Sequence, residues 1–337
     1  MRRSRLNVAN FANAGRGFGN GSFPAFVFLD MRIIVLGAAA GGGFPQWNCG
    51  CPNCARARRG DPAALPRTQC SLAVSADGEG WLLLNAAPDL REQIAATPAL
   101  QPREGGRGSP VKAVVVSGGD VDAVAGLLHL RESQTLALYA ARRVLTLIAA
   151  NPIFRVLNPA SVARREIMLG RREPLTDFAG RPLGLTIEAF AVPGKVALYA
   201  EEEGEEGLGT AEGDTVGLAV SDEGGASFHF VPACAAFSDA LLDRLRGARL
   251  VFFDGTLWTD DEMIRLGLGT KTGRRMGHLS VSGGDGTLAG LAQLGIARKV
   301  FVHVNNSNPM ILEDSPERAI LARAGWEVAH DGMEIAL

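Results

Sequence analysis

Short apolar runs, closed off by Gly, Pro, Asp or Asn, dominate the pattern of hydrophobic and polar positions. Runs at Arg32–Leu36, Ser71–Val74, Trp81–Leu84, Ala113–Val116, Leu183–Phe190, Val196–Tyr199, Val216–Val220, Ser227–Val231, Leu250–Phe253, Val300–Val304 and Trp326–Ala329 read as β-strands. The early runs follow one another closely, as in antiparallel hairpins, and the later ones alternate with helical patterns. A helix is predicted over Asp239–Arg246 with Ser238 as its N-cap. Thr287–Leu294 and Ser315–Ala324 are further helices, each followed by a stop signal, Gly295 and Gly325. This mixture predicts an α/β fold of αββα type, two mixed sheets packed face to face with helices outside.

Two stretches depart from the pattern. Residues 1–30 are rich in Asn, Gly, Arg and Phe and show no periodicity, and Met31 opens a clean strand. The expectation is a disordered leader or a start-site artefact, followed by a single domain over 31–337. The leader is a poor secretory signal, because Pro24 breaks its apolar patch and no A-x-A-like cleavage site follows. Glu201 to Asp214, acidic and Gly-rich, reads as a solvated hairpin loop between strands.

Composition narrows the function classes. With 337 residues, 47% hydrophobic and 21% charged, the chain is ordinary globular protein with enough length for a substantial core. A net charge of −2 without a long basic run argues against a nucleic-acid partner. No apolar stretch reaches the roughly 18 residues a membrane span needs.

Cysteine placement changes the picture. Three of the five cysteines, Cys49, Cys51 and Cys54, fall in a C-x-C-x-x-C pattern after a Gly/Ala-rich turn. Thiolates this close on a loop suit one tetrahedral soft-metal site, a structural zinc, whose fourth ligand the sequence leaves open. With Cys70 and Cys234 standing alone, a reducing compartment, the cytoplasm, fits best.

A second segment carries chemistry. Ala113-Val-Val-Val-Ser117-Gly-Gly-Asp120-Val-Asp122-Ala-Val-Ala-Gly126-Leu127 reads as strand, turn and helix, with Val121, Val124 and Leu128 on the buried helix face. Asp120 and Asp122 fall at the turn. Acidic residues there suit either a helix N-terminus or a ligand set.

This segment resembles the metallo-β-lactamase signature T-H-x-H-x-D-H-x-x-G-L with its histidines removed. Ser117 stands for the Thr, Gly118 and Asp120 for the first two histidines, and Ala123 for the third, while Asp122, Gly126 and Leu127 are kept. With Gly37-Ala-Ala-Ala-Gly-Gly-Gly-Phe-Pro-Gln-Trp-Asn-Cys49 and Asn85-Ala-Ala-Pro-Asp89-Leu-Arg91, the chain from Met31 onward resembles the PqqB family of pyrroloquinoline quinone biosynthesis. The resemblance implies the superfamily's bridging carboxylate at Asp254 and its last histidine at His303, each ending a strand. The middle histidine, expected near Lys195, is missing.

The resemblance therefore implies an active-site iron held by Asp122, Asp254 and His303, an inverted version of the two-histidine, one-carboxylate facial triad. Fe(II) and dioxygen would hydroxylate the tyrosine ring of a Glu–Tyr cross-linked intermediate cut from a precursor peptide. Other pathway proteins are candidate partners, and a homodimer is left open. The alternative is a non-catalytic carrier that aids transport of the quinone or its precursor to the periplasm; loss of the histidines speaks for it, and retention of three converging ligands against it. A hydrolase with a reduced metal site is the weakest option.

Further residues fall into place around these. His278, on a Gly-rich loop, is expected in the site as fourth iron ligand or acid/base group, or else as the closing zinc ligand; Asp120 would position or deprotonate the phenol. Asp89 and Arg91 are expected at the cleft rim, the one touching metal-bound water and the other a substrate carboxylate, with a neighbouring salt bridge as the alternative. Lys271, Arg274 and Arg275 could attract an anionic substrate or form a solvated loop. His129, His229 and His330 read as packing or surface residues. In a related phosphonate-pathway phosphodiesterase family a histidine closes the three-cysteine site; here that position is Asn306, so no ligand carries over. Asn305, Asn306 and Asn308 are expected to hold their loop or meet substrate.

Overall fold

The computed structural model describes residues 30–103, 105–201 and 213–337. Nearly all of the 1–30 leader, and most of the loop expected between Glu201 and Asp214, lie outside the described residues.

In chain order the strands are β1 (Arg32–Gly37), β2 (Ser71–Ser75), β3 (Trp81–Leu84), β4 (Val111–Val115), β5 (Leu136–Ala140), β6 (Val162–Glu166), β7 (Arg172–Thr176), β8 (Pro182–Ala191), β9 (Val216–Asp222), β10 (Ser227–Val231), β11 (Leu250–Asp254), β12 (Arg298–Val302), β13 (Trp326–Val328) and β14 (Glu334–Ala336). They form two seven-stranded sheets, ordered β14-β1-β2-β3-β4-β5-β6 and β13-β12-β11-β10-β9-β8-β7. Each is mixed. β3 to β6 run parallel, as do β10 to β13, and the remaining pairs are antiparallel.

Alternation along the strands builds the layers. Leu72, Val74, Leu82 and Leu84 of the first sheet face Leu218, Val220, Phe228, Phe230 and Phe252 of the second in a central core. The intervening residues point outward. Trp81, Leu83 and Val114 pack with Leu90, Val144 and Ile148 of the helices Leu90–Ala96 and Arg142–Ala150. Val251, Phe253 and Phe301 pack with Leu241, Leu245 and Leu321 of the helices Asp239–Leu245 and Pro316–Arg323. Each fully buried Leu or Phe contributes roughly 1.5–3 kcal/mol of transfer free energy. The αββα expectation holds.

Some local expectations fail. Val196–Tyr199 is not a strand. It ends in a 3-10 turn, Leu198–Ala200, along the cleft rim, where the Tyr199 hydroxyl donates to the Gly119 carbonyl at 2.6 Å. The helix at Thr287 stops at Gly290, where a Cβ would stand 2.2 Å from the Phe237 ring. The helix after Asp120 is one turn, Val121–Val124, tightening to 3-10 over Ala125–Leu130. Val124 is buried as expected, but Val121 is 57% exposed and lines the cleft, because the turn tilts its first residue toward the opening.

Candidate metal centres and the cleft between the sheets

Open α/β sheets place ligand sites beyond the carboxyl ends of their parallel strands. Three such ends meet here. Asp120 and Asp122 follow β4, Asp254 is the last residue of β11, and His303 comes directly after β12. Asp120, Asp122 and His303 line a cavity of about 540 Å³ together with Thr256, His278 and Lys195, and Asp254 lies buried against Thr256 and His278. His303 has φ 55°, a left-handed conformation uncommon outside glycine and of the kind that marks functional sites.

Donor atoms of Asp254, His278 and His303 lie within 4.8 Å of one another. His278 Nδ1 stands 2.7 Å from Asp254 Oδ2, and His303 Nε2 stands 2.7 Å from Asp122 Oδ2. The two imidazoles stack with centroids 5.0 Å apart. Thr256 ties the cluster together. Its hydroxyl donates to Asp254 Oδ1 at 2.6 Å and lies 2.8 Å from His303 Nδ1 and 3.1 Å from His278 Nδ1. Asp254, fully buried, also accepts from the backbone N–H of Cys234 at 3.0 Å and of Thr256 at 3.0 Å. Buried charges need such partners.

The pairing sets protonation. Burial alone would lift the Asp122 carboxyl, but the His303 hydrogen bond and charge hold it below the usual carboxylate range. Burial likewise opposes protonation of His303, and Asp122 overrides it, so the imidazole is shifted upward. Asp120 has no such partner. Burial first, then the like charge of Asp122, push its carboxyl up to about 6. The clustered donors are one carboxylate and two imidazoles, Asp254, His278 and His303, with Asp122 reaching them only through His303; such an oxygen and nitrogen set without thiolate suits a divalent transition metal such as Fe(II).

The second cluster is separate. The sulfurs of Cys49, Cys51 and Cys54 lie within 4.8 Å of one another. The Asn306 side-chain amide faces all three, 3.1 Å from Cys49 Sγ, 3.3 Å from Cys54 Sγ and 3.7 Å from Cys51 Sγ. It thus occupies the direction left open by the three thiols. Asn53 donates to the carbonyls of Asn306, Ser307 and Asn308, fastening this loop to the segment after His303. Three sulfurs at this separation fit a tetrahedral soft ion.

Other expected residues fall differently. His278 sits with Asp254 and His303, not with the cysteines. Asp89 does not line the cavity; its Oδ2 accepts from the Gln69 backbone N–H and side-chain amide, both at 2.9 Å, and Gln69 does line it. Arg91, the second residue of the helix Leu90–Ala96, lies off the cavity wall, and its exposed side chain pairs with its neighbour Glu92. Lys271 lines the cavity, whereas Arg274 is exposed and pairs with Asp285. His129 is exposed, with Nε2 3.2 Å from the Pro88 carbonyl, and His330 is exposed in its turn. His229 lies half-buried in β10. Asn305 lines the cavity and donates to Ser307 Oγ at 2.6 Å, and Asn308 caps its own turn. Sequence reasoning missed Thr256, two residues beyond Asp254, and Lys195; a lone threonine or lysine near a strand end carries no pattern.

The site and the two-sheet sandwich define the class, a metallo-β-lactamase-type domain. A family described as "Beta-lactamase superfamily domain" matches residues 80–304. The chain is 56% identical over 303 residues to "Coenzyme PQQ synthesis protein B" of Gluconacetobacter diazotrophicus, covering 90% of this chain and 98% of that protein. It is 54% identical to the protein of the same name from Xanthomonas oryzae pv. oryzae, covering 91% and 100%. Its backbone is similar to the Zn(2+)-bound PqqB of Methylobacterium extorquens, with a TM-score of 0.86, 48% identity, and coverage of 91% and 100%. A diphosphatase of the PhnP family, at 20% identity and TM-score 0.63, shares the fold. The chain belongs to the coenzyme PQQ synthesis protein B family, within the β-lactamase superfamily.

Proposed function

We propose that this protein acts in pyrroloquinoline quinone biosynthesis as an iron- and dioxygen-dependent hydroxylase of the tyrosine ring in a Glu–Tyr cross-linked intermediate. The observation that carries this reading is the cluster of Asp254, His278 and His303, with Asp122 against His303, beside the cavity that Asp122, His278 and His303 line. Those side chains would hold Fe(II), and when bound it would supply the one-electron chemistry that dioxygen requires. The net change is a ring C–H becoming C–OH, the second oxygen atom leaving as water, with two electrons from an external reductant. A cation beside Asp122 would lower the Asp120 carboxyl again, leaving it ionised as a base for the phenol O–H. Thr256 fixes both imidazole rings, and Gln69, held by Asp89, shapes the wall beside them. The Cys49, Cys51 and Cys54 thiolates would hold zinc and pin the loop over the site. The cytoplasm suits the thiols, which are all unpaired.

Metal content after anaerobic Fe(II) reconstitution tests the reading. Wild type should hold one zinc and one iron, Cys51→Ser only the iron, and Asp122→Ala/His303→Ala only the zinc. If iron never binds, or binds equally in the double variant, the hydroxylase reading fails and the carrier takes its place.

A further inference from the structure

Lys195 and Lys271 are the only cationic side chains among the described residues that line the cavity, the site histidines aside. Lys195 forms its ion pair with Glu201 and not with the carboxylates of the cluster described above. Lys195 is firmly placed. Its carbonyl accepts from Thr215 Oγ1 at 3.0 Å, and its Cβ lies 3.0 Å from where a side chain on Gly277, next to His278, would begin. Only 11% of its side chain is exposed, and its ammonium pairs with Glu201, itself 16% exposed. A nearly buried lysine carries a large desolvation cost unless an anion meets it.

Among the described residues Glu201 is the carboxylate that pairs with Lys195. The Lys195 hydrogen bond first, then the charges of Lys195, Lys271 and Arg275, hold its carboxyl below the usual range. Lys271, on the wall of the same cavity, has no ion pair of its own among the described residues. Such an arrangement favours a second carboxylate.

We propose that Lys195 and Lys271 form a carboxylate-recognition site in the cleft, with Glu201 as a resident counter-ion that yields when a carboxylated phenol enters. The phenol part rests on the hydroxylase reading; the carboxylate part rests on the lysines alone. The recognised group would be the α-carboxylate of an amino-acid-like ligand, held by charge-assisted hydrogen bonds at one end while the ring reaches the Asp122 and His303 end. Glu201 keeps Lys195 satisfied when no ligand is there and competes with a ligand that binds weakly.

The test is calorimetric binding of the Glu–Tyr cross-linked amino acid, under anaerobic conditions, to the metal-reconstituted full chain. Its methyl ester at the tyrosine-side carboxylate is the second probe. Lys271→Gln and Lys195→Gln should each weaken binding of the free acid by about tenfold or more, and the ester by far less. Glu201→Gln should tighten binding several-fold. Lys271 is half-buried on a loop, so its variant keeps the test valid if the Lys195 variant misfolds, and circular dichroism with zinc content checks both. Affinities unchanged in the lysine variants, or equal losses for acid and ester, would overturn the proposal. If the probe binds with these dependences but no oxygen is consumed, the hydroxylase reading falls and the carboxylate site stands. If oxygen is consumed while the lysine variants bind normally, the reverse holds. No binding to wild type overturns both.

Discussion

His303 Nε2 lies 2.7 Å from Asp122 Oδ2, a contact that joins the ends of two different sheets across 181 positions of sequence. Asp122 follows β4 of the first sheet and His303 follows β12 of the second, so the pair forms only when the sandwich is closed. Each partner holds the other in its charged form, against burial. Asp122→Asn keeps the shape and removes the charge. Iron affinity should fall at least about tenfold, as expected for loss of an anionic ligand or its close partner, while zinc content stays unchanged. Iron titration followed by metal analysis reads both.

Thr256 touches neither metal set by charge, yet its hydroxyl contacts Asp254, His278 and His303. Thr256→Val should lower iron affinity by roughly 10–100-fold, the usual effect of losing a group that orients ligands. Thr256→Ser, which keeps the hydroxyl, should restore most of it. Equal affinities for Val and wild type would show that the threonine only packs.

The Cys49, Cys51 and Cys54 loop is bound to the Asn306–Asn308 segment through Asn53 and Asn306. A metal that binds the folded state but not the unfolded chain stabilises it by mass action. Chelation of zinc should therefore lower the melting temperature of wild type by several degrees and leave Cys51→Ser, already low, unmoved. Calorimetry with and without chelator checks this. A chelator shift of equal size in both proteins would contradict a zinc at the cysteines.

His229 gives a pH dependence remote from either cluster. Burial, then the charge of Arg244, depress its imidazole to about 4 from 6.5. Its neutral form is the folded one, with the ring edge-on to Phe190 at 6.0 Å. Stability from this group is complete above pH 6.5 and declines as pH falls from 6.5 toward 4, by up to about 3 kcal/mol. His229→Phe should flatten the acid side of a plot of urea midpoint against pH. The same slope in both proteins would show that His229 carries none of the acid loss.

The sequence is most legible where burial is two-sided. β1, β3 and β11 are nearly continuous apolar runs bounded by turns, β10 and β12 keep an apolar stretch beside polar residues, and each stands within a residue or two of its expected place. β6 and β7 escape notice because their sequences, Val-Ala-Arg-Arg-Glu and Arg-Glu-Pro-Leu-Thr, are charged edge segments of the two sheets with little apolar signal. β5, Leu-Ala-Leu-Tyr-Ala, is an exception: it is buried on both faces yet is not read as a strand, because its alanines and the helix Arg142–Ala150 that follows give a short apolar run no clear period. In the site, Asp122, Asp254, His278 and His303 are legible through a pattern that spans the fold. The contributions of Thr256, Lys195 and Gln69 are not, because they depend on contacts between loops far apart in sequence. The position of Arg91 is hard to read for the same reason: its spacing from Asp89 says nothing about the direction in which a new helix sends its second residue.

A single-turnover reaction of Fe(II)-loaded protein with the Glu–Tyr cross-linked amino acid, a reductant and isotopically heavy dioxygen, read by mass spectrometry, decides whether the protein hydroxylates the ring. The account predicts a product carrying one heavy oxygen atom on the tyrosine ring, with no product from Asp122→Ala/His303→Ala. Recovery of the unaltered amino acid from fully iron-loaded wild type, bound or free, would contradict it.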